Sequence, residues 1–201
     1  MWALVEDGSI TKLINNPRSM IIDDIQYSRN IFSFRWSNEE REAIGLYEIV
    51  WDNAKKKEEE YYANTNQTFT YDADAGTVTA TYGDATAKAH ADTLFTADDE
   101  DNGLGTEGEV KVEGLKTVKI RNIKVQAASE LARTDWYIVR KADADTAVPS
   151  AITNHRAAVR TKCAQMETAI TNASNTAAIE TLYTRDADGV RPLGDLPTLE
   201  V

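Results

Sequence analysis

The run Pro149-Ser150-Ala151-Ile152-Thr153-Asn154-His155-Arg156-Ala157-Ala158-Val159-Arg160-Thr161-Lys162-Cys163-Ala164-Gln165-Met166-Glu167-Thr168-Ala169-Ile170 decides how the second half of the chain folds. Ile152, Arg156, Val159, Cys163, Met166 and Ile170 recur at alternating spacings of four and three, so they share one narrow stripe of a long α-helix. Such a stripe packs most naturally against another helix. Pro149 suits the first helical position, where its missing N–H costs nothing. Upstream, Ile120, Ile123, Ala127 and Leu131 follow at three, four and four, which predicts a second helix of about five turns starting near residue 114. Lys116, Lys119, Arg121 and Lys124 are left for its other faces. Thr134-Asp135-Trp136 interrupts that helix, and Tyr137-Ile138-Val139 reads as a brief strand or an extended linker. A short helix from Thr176 to Leu182 and an irregular tail rich in Gly and Pro complete this half.

The first half has a different period. Trp2-Ala3-Leu4-Val5-Glu6 and Ser9-Ile10-Thr11-Lys12-Leu13-Ile14 flank Asp7-Gly8, a pair suited to a two-residue turn with positive φ at both positions, which predicts a β-hairpin. Met20 to Ile25 and Ile31 to Phe34 read as short strands or extended chain. Ser37-Asn38-Glu39-Glu40 has the spacing of a capping box, opening a short helix that stops at Gly45. Leu46 to Trp51 reads as a strand. Thr68 to Tyr71 and Thr77 to Tyr82 alternate with period two around Asp72-Ala73-Asp74-Ala75-Gly76, a second hairpin. The fold class expected is α+β, with a β-rich N-terminal part built from hairpins and a C-terminal α-helical hairpin. The expected divisions are 1–83 (β-rich, one short helix), 84–113 (acidic connection), 114–185 (helical) and 186–201 (irregular tail).

The chain has 201 residues, 42% of them hydrophobic and 27% charged, with a formal net charge of −11. That composition suits a globular protein, and the negative charge argues against nonspecific binding to nucleic-acid phosphates or anionic lipid. No stretch approaches the roughly 20 apolar residues of a membrane helix, and the N-terminus lacks the pattern of a signal peptide. The charge is unevenly placed: residues 72–109 carry −9 and residues 110–170 carry +5. Like-charge blocks favour solvent, so 72–109 is expected as an exposed connection. The single cysteine, Cys163, excludes a disulfide framework within the chain and a multi-cysteine zinc site.

Catalytic material is scarce. His90 and His155 lie far apart, and neither a nucleophile elbow, a phosphate-binding glycine loop nor a paired-histidine metal motif is present. Cys163, on the helical stripe, reads as a small core residue. The one metal-like run is Asp98-Asp99-Glu100-Asp101-Asn102-Gly103. Counted as a calcium loop, it supplies Asp98, Glu100, Asn102 and Glu109 as oxygen ligands with Gly103 sixth, but Glu100 and Gly105 depart from the pattern. An acidic turn is the alternative reading. No enzyme activity and no cofactor are expected. Candidate protein-interaction residues are Trp136, Ile152, Val159, Met166 and Ile170: the stripe packs within the chain or between copies, and Trp136 caps the helical core or binds a partner, the core being favoured.

Gln126-Ala127-Ala128-Ser129-Glu130-Leu131-Ala132-Arg133-Thr134-Asp135-Trp136-Tyr137, followed by Val148-Pro149-Ser150 and Thr153 to Arg160, resembles proteins encoded beside tail-fibre genes of tailed bacteriophages, particularly marine ones. The likeness rests on Leu-x-x-Thr-Asp-Trp and on the Arg156-x-x-x-Arg160 pattern of a proline-started helix, and spans about 60 of 201 residues. Ile44 to Val50 adds a weaker likeness in the β-rich part. The resemblance implies a non-enzymatic structural or adaptor protein of the tail or tail fibre, made in the host cytoplasm and located in the virion. Its partners would be other tail or fibre proteins, or further copies in a homo-oligomer. A tail-fibre assembly chaperone absent from the mature particle and a host-facing binding module are the alternatives.

Overall fold

A computed structural model describes residues 1–199. The fold class is α+β, strand-rich at the N-terminal end and helical at the C-terminal end. The chain divides into two compact units, Met1–Thr86 and Ala87–Val201.

In the first unit, β1 (Trp2–Glu6) and β2 (Ser9–Ile14) form the hairpin predicted around Asp7-Gly8, whose φ values of 50° and 74° are those the turn requires. The register slips between Leu4 and Val5, leaving Thr11 as the extra residue of a bulge. A second hairpin pairs β3 (Met20–Ile22) with β4 (Ile25–Tyr27) through Asp23 and Asp24, both at positive φ, so the run expected as one strand turns back on itself. Arg29–Phe32 is a 3-10 turn capped by Ser28 where extended chain was expected. The capping box of α1 (Asn38–Glu42) is present: Ser37 accepts from the Glu40 N–H at 3.2 Å, and Glu40 accepts from the Ser37 N–H at 2.7 Å. Gly45 ends this segment at φ 71°, where a Cβ would collide with the Val5 carbonyl oxygen.

Next come β5 (Leu46–Asp52), β6 (Tyr62–Ala63), β7 (Thr68–Asp72) and β8 (Thr77–Thr81). The main sheet runs β2-β1-β5-β8-β7, antiparallel except for the β5–β8 pair. Its edge strands β2 and β7 approach within 8 Å by Cα, so the sheet is strongly curled. One face carries Ala3, Val5, Ile49, Val78 and Ala80, small enough for that curvature, flanked by the half-buried rings of Tyr47, Trp51, Phe69 and Tyr71. The other packs Trp2, Leu4, Ile14 and Leu46 against Ile22 and Ile31. Arg41, 7% exposed, donates to the carbonyls of Ile31 (2.8 Å) and Ser33 (2.5 Å) and to Asn38 Oδ1 (2.9 Å), with its guanidinium 4.9 Å from the Trp2 ring centroid. Its charge is thereby spent on holding α1 to the preceding turn.

The second unit begins near β9 (Thr86–Ala87) and continues through β10 (Thr93–Leu94), α2 (Ala97–Asp101) and β11 (Val110–Val112). β10 and β11 form an antiparallel hairpin, so part of the segment expected as a connection is structured. α3 (Leu115–Ala132) and α5 (Ser150–Asn172) pack side by side. Lys116 Nζ reaches the Thr171 carbonyl at 2.8 Å and Lys124 pairs with Glu167 at 3.1 Å, which makes the two helices antiparallel. Between them, Asp135–Ala144 forms a further helix, α4, where a strand or linker was expected. Ile123, Ala127, Val159, Cys163, Met166 and Ile170 make the core, closed by α6 (Thr176–Tyr183) and by Leu193 of the irregular tail. Lys119, expected on an outer face, is buried, its Nζ 4.2 Å from the Tyr183 ring centroid.

Candidate protein-docking site

The most unusual surface of the second unit is α4 and the corner that holds it. Thr134, 1% exposed, sits between α3 and α4 and donates from Oγ1 to the Leu131 carbonyl at 3.0 Å. Arg156 reaches across from α5: its Nη1 donates to Leu131 O (2.7 Å), Thr134 Oγ1 (2.8 Å) and Asp135 Oδ1 (2.8 Å). Residues 22 positions apart thus form one clamp, and three of its members belong to the Thr134-Asp135-Trp136 and Arg156 pattern singled out in the sequence. One nitrogen carries two hydrogens, so three acceptors must share them. The clamp fixes where α4 leaves the helical pair.

α4 itself has no buried residue. Trp136 is 53% exposed, Ile138 43% and Val139 65%, so the preference for Trp136 in the core is overturned. Trp136 and Tyr137 lie with centroids 4.0 Å apart, and the Arg140 guanidinium rests 4.6 Å from the Trp136 ring and 5.6 Å from that of Tyr137. The one-turn offset between Trp136 and Arg140 puts them on the same side of the helix. Of the charges nearby, Asp135 pairs with Arg156, Lys141 with Asp145 and Arg133 with Glu130, while Asp143 has no ion pair among the described residues. The Arg140 side chain makes no hydrogen bond or ion pair among the described residues, and its Nε is buried without a partner. A rigid aromatic pair, two exposed β-branched side chains and an unmatched cation are the residue types that anchor protein interfaces.

The other interaction candidates lie inward. Ile152, Val159, Met166 and Ile170 are all buried in this unit, and Val159, Met166 and Ile170 belong to the core shared with α3. Their stripe is spent within the chain. Cys163 is buried beside Glu167 (3.4 Å), and burial first, then that carboxylate, push its thiol above the ordinary value, which disfavours the reactive thiolate. His155 is buried with Nε2 unpartnered.

The acidic run folds as a short helix followed by a turn. Asp98 and Glu100 fall within α2, capped by Thr96 and Asp99, and Asn102 closes it by donating to the Asp98 carbonyl at 2.6 Å. Glu100 accepts from the Glu107 N–H at 2.9 Å, and Glu109 lies beyond the turn, its carbonyl receiving the Phe95 N–H at 2.9 Å. Asp99, not counted as a ligand, binds Lys111 at 2.6 Å, and that lysine with the Thr96 N–H holds its carboxyl down at about 2. Among the described residues no three His, Cys, Asp or Glu side chains gather to hold a metal ion.

In the first unit a cleft of about 260 Å³ is lined by Trp2, Asn38, Arg41, Glu42, Tyr47 and Thr77, among others. Nearby, the Tyr47 and Tyr71 hydroxyls lie 3.1 Å apart, and this hydrogen bond, with burial, pushes Tyr47 up to about 12. A phenol so far from neutrality is no base at ordinary pH. Among the described residues no helix is long and apolar enough to cross a membrane. No protein-family model matches the chain, and neither curated proteins nor solved structures give a significant match.

Proposed function

We propose that this chain is a non-enzymatic structural adaptor of a bacteriophage tail or tail fibre, working through protein–protein contacts and carried in the virion. The observation that carries the adaptor role is α4, a helix without a buried residue that offers Trp136, Ile138 and Val139 to solvent, with a half-buried, unpaired Arg140 laid on the Trp136 and Tyr137 rings. Evolution rarely leaves such a surface uncovered, because burying a tryptophan and its neighbours on a partner is a main source of interface energy. The clamp from Arg156 supports the same reading, since a docking helix must be held at a fixed angle if binding is not to cost ordering entropy. The phage setting rests on the resemblance in residues 126–160. The chemistry of the side chains favours binding over catalysis: burial disfavours the Cys163 thiolate, and His90 and His155 lie far apart along the sequence.

Mass spectrometry of purified particles tests this role. The protein should be present at a fixed copy number, and Trp136→Ala should lower its incorporation. Its absence from intact particles would move the role to a transient assembly factor and overturn the virion assignment.

A further inference from the structure

The core of the second unit is completed by a piece of chain with no regular structure. After α6 and its cap residue Thr184, residues 185–199 form neither helix nor strand. Leu193, 2% exposed, joins the cluster that Ile123 and Ala127 of α3 make with Val159, Met166 and Ile170 of α5, and Leu196 packs against the same cluster. Gly194 turns the chain between the two leucines at φ 69°. The seating is deep, yet the fastenings are slight. Among the described residues one backbone hydrogen bond ties this segment to the helices, from the Leu193 N–H to the Leu182 carbonyl at 3.0 Å, and the others close turns within it. Arg185 reaches Asp195 at 3.1 Å, but both side chains are more than half exposed, so the pair is largely solvated. The connection from α6 also doubles back: the Asp186 N–H donates to the Val190 carbonyl at 2.8 Å, and Asp186 Oδ1 accepts from the N–H groups of Asp188 and Val190. Extended, residues 184–192 would span about 30 Å, far more than the closed form uses.

We propose that residues 190–199 are an exchangeable strap, and that the groove beneath Leu193 and Leu196 is a docking site for the same segment of a second copy. The occupant is fixed by what the structure seats there: two leucines three positions apart, a glycine at positive φ between them, and a carboxylate facing Arg185, which stays at the end of α6 when the strap swings out. Exchange between two copies recreates each of these contacts and changes only the connection, which is how domain swapping builds a closed pair at little cost. Within one chain a short connection holds the strap at an effective concentration of roughly millimolar, so the dilute chain closes on itself. Copies held side by side in an assembly reach comparable concentrations, and there the strap crosses. The device lies wholly in the second unit and requires neither α4 nor a phage particle.

Hydrogen exchange on the purified full chain tests the opening. The Leu193 amide should exchange roughly tenfold or more faster than core amides of α3 and α5 such as those of Ile123 and Val159, because the strap opens without unfolding the unit. Equal protection overturns the proposal. A fluorescent peptide of residues 190–199 then probes the groove by anisotropy. It should bind the Leu193→Asp protein, whose own strap is disabled, saturably and roughly tenfold or more tighter than it binds wild type, since in wild type it competes with a tethered strap. The same peptide carrying Leu193→Asp should bind neither protein. Equal binding to both proteins, or none to the variant, overturns the proposal. So does a variant that loses its helical circular dichroism, because Leu193 would then be inseparable from the core. Last, wild-type protein incubated at roughly millimolar concentration and then passed through size-exclusion chromatography should carry a dimer that the Leu193→Asp protein does not form. A wild-type chain that emerges wholly monomeric refutes exchange between copies.

Discussion

Replacing Arg156 with Met should cost about 3 kcal/mol in the stability of the second unit, most of it from the clamp at the α3–α4 corner. Hydrogen bonds from a charged donor are each worth about 1.5–3 kcal/mol. Arg156 Nη1 makes three contacts between 2.7 and 2.8 Å, but with two hydrogens it cannot make three full bonds. The Asp135 contact counts for little, under about 1 kcal/mol, because that carboxylate is 58% exposed and the pair is largely solvated. The buried acceptors, Leu131 O and Thr134 Oγ1, carry the rest. Leu131 O keeps its bond from Thr134 Oγ1 at 3.0 Å, so the substitution orphans no buried carbonyl, which caps the cost. Met fills the volume of the stem without a charge. The assay is urea unfolding followed by far-UV circular dichroism, whose helical signal comes mainly from this unit. The same arithmetic puts Asp135→Asn below about 1 kcal/mol. Equal losses in the two variants, or an Arg156→Met loss under about 1 kcal/mol, would refute the assignment of the clamp to buried acceptors.

Further outcomes follow from other sites. Val159→Asp places a carboxylate at a fully buried point of the helical core, and should unfold the second unit, read as loss of the helical dichroism, instead of merely separating copies. Gly45→Ala meets the Val5 carbonyl at a positive φ and should lower the first unit's stability by about 2 kcal/mol or more, measured by thermal unfolding. Tyr47 titrates above its unfolded value, so its contribution is intact below pH 10 and is lost as pH rises toward 12. Ultraviolet titration should show one phenol ionising last, and Tyr71→Phe should bring that step back toward 10. Asp99 behaves in the opposite sense: its carboxyl is depressed, so the stability it lends is present above about pH 4 and fades as pH falls toward 2. Carbon-13 NMR should find its midpoint near 2, and Lys111→Met should raise it.

Features written in local chemistry were legible in the sequence. Asp7-Gly8, Ser37 with Glu40, and the stripe from Ile152 to Ile170 each encode a turn, a cap or a helix face in residues close along the chain. The misses have physical reasons. Asp23-Asp24 adopts the same positive φ as Asp7-Gly8, but aspartate signals that conformation far less strongly than a glycine. Tyr137-Ile138-Val139 carries β-branched residues that favour strands, yet it is helical: Arg156 fixes Asp135 at the start of α4, and Trp136 meets Arg140 one turn on. Trp136 was expected inside because large aromatics usually are. Its exposure depends on α4 projecting from the corner, which no local pattern predicts. The clamp was half visible: Thr134, Asp135, Trp136 and Arg156 stood out as a pattern, but the bond between them spans α4 and the turn into α5, whose path the sequence does not encode.

The central claim is that α4 is a covered interface where the protein works. Hydroxyl-radical footprinting of Trp136, read by mass spectrometry in intact purified particles and in the free chain, measures this directly. Trp136 should be strongly protected in the particle, with Ile138 and Val139 protected alongside it, while an exposed residue in the other unit such as Phe34 serves as an internal reference. Equal Trp136 reactivity in the particle and in the free chain would contradict it.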